Sequence, residues 1–145
     1  MEALRFECQP GCIKCCDRYG FVYLTEDDLR RISAFVGMTT AAFEAKYVYR
    51  TKNQIRLRKP RASECHFLLK RADGTGGCKI HAVKPVQCRT YPYWPELIEY
   101  PDVWEHEATR CPGINKGDKL IQIGTALEIA EEMKTAYPWS YAPFR

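Results

Sequence analysis

Eight cysteines in 145 residues constrain this chain more than any other feature. So dense a thiol content has to be used in disulfides, in metal binding or in redox chemistry. Disulfide scaffolds belong to exported proteins, and Met1 to Glu7 offer neither an apolar signal core nor a cleavage site ahead of Cys8. We therefore expect a cytoplasmic protein, in a reducing compartment where thiols stay available to metal. No uncharged apolar run approaches the roughly 20 residues that a bilayer requires, so no membrane span is expected.

Cys8, Cys12, Cys15 and Cys16 form C-x3-C-x2-C-C, and Pro10 with Gly11 supplies a turn that lets the thiols converge. Cys12 and Cys15 have the C-x2-C spacing that presents two sulfurs to one ion in structural zinc and iron-sulfur sites. Cys65, Cys78, Cys88 and Cys111 are widely separated, so the fold must gather them. Adjacent side chains diverge, and one of Cys15 and Cys16 is expected to serve a second metal, a bridge or nothing. His81, three residues after Cys78, is a weaker ligand candidate; His66 and His106 read as packing or surface histidines.

Eight thiolates are twice what a four-coordinate zinc takes. The inventory admits two all-thiolate zinc sites, one iron-sulfur cluster with spare thiols, or a site with labile ligands, and thiolate chemistry does not choose between zinc and iron, whether mononuclear, dinuclear or cluster. Redox thiols and inert buried cysteines are the competing readings. Cys8, Cys12 and Cys15 also reproduce the spacing of radical S-adenosylmethionine enzymes. Those enzymes place an aromatic residue before the last cysteine, where this chain has Lys14, and need a barrel longer than 145 residues.

Apolar residues make up 46% of the chain, enough for a modest core. Thr25 and Asp28 have the form of a capping box ahead of Leu29, Ile32, Phe35 and Val36, which recur at helical spacing until Gly37. Thr39 or Thr40 caps a second helix carrying Phe43 and Tyr47, and Ile55 to Arg58 alternates as a strand. Cys65 to Leu69 reads as extended, and Asp73 to Gly77 turns the chain back into Cys78, so a short hairpin should bring Cys65 and Cys78 together. Pro85 opens a helix through Cys88 that Pro92 and Pro95 end; Tyr91 to Trp104 reads as irregular and aromatic. Asp118 should cap a last helix, about 118–137, with Leu120, Ile123, Leu127, Ala130 and Met133 as its apolar stripe.

The net charge of +4 is mild. Lys52, Arg56, Arg58, Lys59 and Arg61 are its densest run, read as a solvated edge strand or, with Tyr47 and Tyr49 nearby, as a surface for an anionic protein or RNA partner. Asp17, Asp27 and Asp28, beside the first cluster in sequence, can be read as general acid–base residues, with Asp28 better used at the helix N-terminus. Arg89 is a candidate to pair with a thiolate or a carboxylate, and Tyr91 to Pro95 a candidate to cover the site.

In order, Cys8-Gln9-Pro10-Gly11-Cys12-Ile13-Lys14-Cys15-Cys16, Cys65-His66-Phe67-Leu68, Gly77-Cys78-Lys79-Ile80-His81, Lys84-Pro85-Val86-Gln87-Cys88-Arg89-Thr90-Tyr91-Pro92 and Cys111-Pro112-Gly113 resemble the YkgJ-type cysteine-cluster family, written CxxCxxCC. The resemblance covers about residues 6–113 and implies a zinc- or iron-chelating domain. The chain departs from the family in having three residues between Cys8 and Cys12, Lys84 where an Arg is usual, His81 where a Tyr is frequent, and Tyr91 where a Phe is usual. All eight cysteine positions are filled, so the resemblance carries the chelating role to Cys8, Cys12, Cys15, Cys16, Cys65, Cys78, Cys88 and Cys111, and weakens it for His81. A related cluster in flagellin lysine N-methylases admits an iron-sulfur or metal-dependent modifying enzyme. No Gly-rich phosphate loop or nucleotide fingerprint supports a reaction independently.

The sequence thus describes a loop-rich, metal-stapled α+β single domain over residues 1–145, with a short hairpin and a C-terminal helix, binding zinc or iron in an unassigned biological role. No catalytic residue is assigned. A modifying enzyme and a metal-stapled adaptor for a protein or RNA partner are the alternatives.

Overall fold

The computed structural model of the chain describes residues 3–9, 11–15, 21–58 and 65–141, built as short antiparallel strands and short helices in an α+β arrangement. Packing groups them into two units, Ile13–Arg89, and Met1–Cys12 with Thr90–Arg145.

In Ile13–Arg89, helix α1 (Glu26–Phe35) starts where its capping box lies: the Thr25 hydroxyl accepts from the Asp28 N–H and the Asp28 carboxylate accepts from the Thr25 N–H. Its end is closed by Gly37 at φ +76, with Gly37 donating to Ala34 and Met38 to Ser33, the paired bonds that satisfy a helix's last carbonyls. The buried face is Asp28, Leu29, Ile32 and Ser33; Phe35, expected inside, points to solvent at 51% exposure because the face turns before the helix ends. Thr39 caps α2 (Thr40–Tyr47), which buries Phe43.

Strands β2 (Tyr23–Leu24), β3 (Val48–Arg50) and β4 (Ile55–Leu57) form an antiparallel sheet in the order β2-β4-β3. The segment expected as an edge is therefore central, since β4 pairs on both sides. Leu24 and Ile55 face inward in one row and Val48 and Leu57 in the next, joining Leu29, Ile32, Phe43, Phe67 and Ile80 in one core. Strands β5 (Leu68–Lys70) and β6 (Gly76–Cys78) make the expected hairpin, with Leu68 opposite Cys78. Cys65 to Phe67 turn rather than extend, because the Leu68 N–H bonds back to Cys65 and Phe67 drops into the core, stacked on Phe43. A 3₁₀ turn at His81–Val83 leads to helix α3 (Val86–Thr90), whose last residue belongs to the second unit.

In the second unit, β1 (Ala3–Arg5) pairs with β7 (Leu120–Gln122). That pairing takes up residues 120–122, so the last long helix, α6 (Ile123–Ala136), is capped at Gln122, four residues later than the Asp118 cap implied. Its buried residues are Ala126, Ala130 and Met133, while Leu120 and Leu127 are exposed. The stretch read as irregular holds two helices, α4 (Pro95–Ile98) and α5 (Pro101–Glu107), each with proline in its first turn. Proline there loses no helical hydrogen bond and has its φ already set, so it starts these helices instead of breaking them. A last short helix, α7 (Pro138–Tyr141), follows α6. The core is Leu4, Ile98, Trp104, Ile114, Ala126 and Ala130, with Phe6 edge-on to Tyr93 and Tyr93 stacked on Trp104. Among the described residues no helix is long and apolar enough to cross a membrane.

Candidate metal centre

Four of the described cysteines fall in Ile13–Arg89: Cys15, Cys65, Cys78 and Cys88. Three local devices bring them into one neighbourhood. The hairpin fixes Cys78 beside Leu68, itself hydrogen-bonded back to Cys65, and both cysteines pack against the core. The segment leading to Cys15 lies on the same hairpin: a Cβ on Gly76 would come 2.7 Å from Ile13 Cγ2 and 1.9 Å from the Leu69 carbonyl oxygen, so only glycine lets the three segments approach.

Helix α3 brings Cys88, and it is fastened at two points. The Asp28 Oδ2 accepts from the Val86 N–H at 3.2 Å, and Arg31, paired with the other Asp28 oxygen, also donates to the Lys84 carbonyl at 3.3 Å. The Gln87 side-chain amide donates to the Phe21 carbonyl at 3.0 Å and accepts from the Tyr23 N–H at 2.9 Å. Neither Asp28 nor Gln87 was legible as a site residue; both act across more than fifty positions of sequence, and no local pattern marks such a contact.

The electrostatics of Cys88 register the assembly. Burial pushes its thiol far above the ordinary cysteine range, the charges of Cys65, Cys15 and Cys78 push it further, and Lys84 opposes them. Like charges gathered around a buried thiol are unfavourable by themselves and become favourable around a cation, which holds coordinating thiols deprotonated. Among the described residues, no three His, Cys, Asp or Glu side chains are drawn together tightly enough to hold an ion. In kind and number the donors fit a thiolate-bound metal: four soft sulfurs in one unit, three of them half-buried.

Cys8, Cys12 and Cys111 lie in the second unit. The Phe6–Ile114 bridge and the Glu7 N–H bond to Gly113 join the segment before Cys8 to the segment after Cys111. Gly11 at φ +74 and the Cys12 N–H bond to Gln9 fold the intervening turn. None of the seven described cysteines is in a disulfide. Cys16, like Pro10, Asp17, Lys59 and Arg61, lies outside the described residues.

His81 is exposed in its 3₁₀ turn. His66, beside Cys65 and edge-on to Tyr47, has a buried Nε2 that finds no hydrogen-bond partner among the described residues. Burial, with Lys46 nearby, lowers its pKa. The Tyr91 and Trp94 rings meet edge to face in the second unit, and Arg89 is exposed.

Charge is divided unevenly between the units. Ile13–Arg89 holds sixteen Lys and Arg against seven Asp and Glu, an excess of nine positive charges, whereas the second unit holds six against eleven, a deficit of five. The mild total of +4 conceals a strongly basic unit.

A small α+β chain that collects thiols from distant segments defines a cysteine-cluster protein. The chain belongs to the CxxCxxCC family, whose model, described as "Putative zinc- or iron-chelating domain", matches residues 7–119. No solved structure matches it.

Proposed function

We propose that the chain is a thiolate metal-binding module in which Cys15, Cys65, Cys78 and Cys88 take one zinc or iron ion. The observation that carries this reading is the gathering of four thiols: the hairpin sets Cys78 beside the turn at Cys65, Ile13 rests on that hairpin ahead of Cys15, and α3 brings Cys88 close enough to feel all three. Cys8, Cys12 and Cys111 are further candidate ligands in the second unit. The family match runs across both units, which supports treating residues 1–145 as one cysteine-cluster domain. Reduced thiols suit a cytoplasmic protein.

A bound ion in an all-thiolate site joins chain segments, and structural zinc releases folding free energy on the order of 10 kcal/mol. Here it would join the Cys15 segment, the hairpin and α3. Asp28, Arg31 and Gln87 hold α3 in place, and core packing against Cys65 and Cys78 limits water around the sulfurs.

Anaerobic purification, with metal, acid-labile sulfide and visible absorption measured on one sample, tests the proposal. Zinc or iron at one to two equivalents per chain supports it; brown protein with sulfide turns it toward an iron-sulfur centre and the modifying-enzyme alternative. Protein that retains no metal and takes up neither zinc nor ferrous iron overturns it. As a second reading the module is an adaptor for an anionic partner, supported by the positive excess of Ile13–Arg89.

A further inference from the structure

We propose that the outward face of the β2-β4-β3 sheet binds single-stranded nucleic acid, an inference that rests on the adaptor reading and gives it a surface and a partner class. Tyr23, Arg56 and Tyr49 stand in one row across the three strands. Leu24, Ile55, Val48 and Leu57, the neighbours of that row, point into the core, so the row itself faces out. The Arg56 guanidinium carbon lies 3.7 Å from the centre of the Phe21 ring and 4.8 Å from that of Tyr49. Both rings stay wide open, at 44% and 47% exposure.

A basic, aromatic sheet face of this kind has two uses for a polynucleotide. Stacking holds the guanidinium by its plane and leaves its rim of N–H donors for the paired oxygens of a phosphate. The exposed aromatic surfaces accept bases, and they do so whatever the sequence, because every base has a π-face. Strands about 4.8 Å apart spread this surface over roughly 10 Å, room for two or three nucleotides.

The charges around the face agree. From Ala45 to Arg58 the chain has five Lys and Arg and no acid. Arg50 is occupied, its guanidinium 2.7 Å from both Glu26 and Glu44, whose carboxyls it holds below their usual range. Arg30 pairs with Asp27. Arg56 forms no ion pair among the described residues and is available to a ligand. A duplex keeps its bases stacked on each other and cannot use the rings.

The test is fluorescence anisotropy of metal-loaded full-length protein with a labelled oligothymidylate of about twelve nucleotides at about 50 mM salt. The expected result is binding that falls steeply with added salt and exceeds binding to a duplex of equal length. Arg56→Gln, Phe21→Ala and Tyr49→Ala should each weaken it about tenfold, with circular dichroism and metal content unchanged. Arg56→Lys, which keeps the charge but not the planar fork, should also lose most of the affinity, and Lys134→Gln on α6 should lose none. Affinity unaltered by all the face variants overturns the sheet face and leaves the adaptor reading standing. No binding by wild-type protein, or equal binding to duplex, overturns the proposal, as does capture only by vesicles of phosphatidylcholine and phosphatidylserine. The metal content of the same samples reports separately on the chelating role.

Discussion

Asp28 and Val86 are 58 residues apart in sequence, and the Asp28 carboxylate accepts the Val86 N–H. The same fully buried carboxylate accepts the Thr25 N–H and pairs with Arg31. One side chain therefore sits at the start of two helices, where exposed N–H groups and the helix dipole favour an anion. The first is its own helix α1, and the second, α3, carries Cys88.

Replacing Asp28 by Ala should destabilise the protein by about 3 kcal/mol, because it orphans the buried Val86 N–H and the half-buried Thr25 N–H and strips Arg31 of its buried partner. Asn, which keeps an acceptor, should recover part of the loss. Urea unfolding of the metal-loaded protein measures both, and a change below about 0.5 kcal/mol for Asp28→Ala would contradict the bridging role. If α3 is what presents Cys88, zinc affinity should fall as well.

Gly76→Ala should destabilise by about 2 kcal/mol or more, since the new methyl group would meet the Leu69 carbonyl oxygen at 1.9 Å and Ile13 Cγ2 at 2.7 Å. Gly77→Ala is the control, because a Cβ there meets nothing within 4 Å. Thermal unfolding of the pair should separate them clearly; equal melting temperatures would mean that Ile13 does not rest on the hairpin.

Serine at Cys15, Cys65, Cys78 or Cys88 should each remove the same single equivalent of metal, and a double replacement within the set should remove no more. Metal loading should also release close to one proton per ligating thiol, since burial and neighbouring charge keep Cys88 protonated until an ion arrives. Elemental analysis and zinc titration in weak buffer read the two effects. Graded, additive losses across the four variants would show that these sulfurs do not share an ion.

The parts of the fold legible in the sequence are those whose cause is local. The Thr25 capping box, the Gly37 stop, the Thr39 cap and the Asp73–Gly77 turn each depend on residues within a few positions of one another. Residues 95–107 misled because proline both ends helices and starts them, and only the surrounding chain decides which. Leu120 misled because β1, more than a hundred residues earlier, claims it for a strand. For the candidate centre, the sequence supplied the sulfurs but not their division between units, nor Asp28 and Gln87, nor the Phe21–Arg56–Tyr49 stack. All of these depend on register between distant strands or on side chains reaching across the fold.

The Gln87 amide has a consequence for solubility. Strand β2 is an edge strand, and its outward Tyr23 N–H and Phe21 carbonyl are both taken by this one side chain. An exposed edge of that kind templates pairing with another chain, and here it is blunted by a helix rather than by charge or a bulge. Anything that lets α3 swing away, including loss of an ion bound through Cys88, would uncover the edge, so demetallated protein should self-associate through β2 and not merely loosen. The helix that offers a thiol to metal also guards the sheet against aggregation.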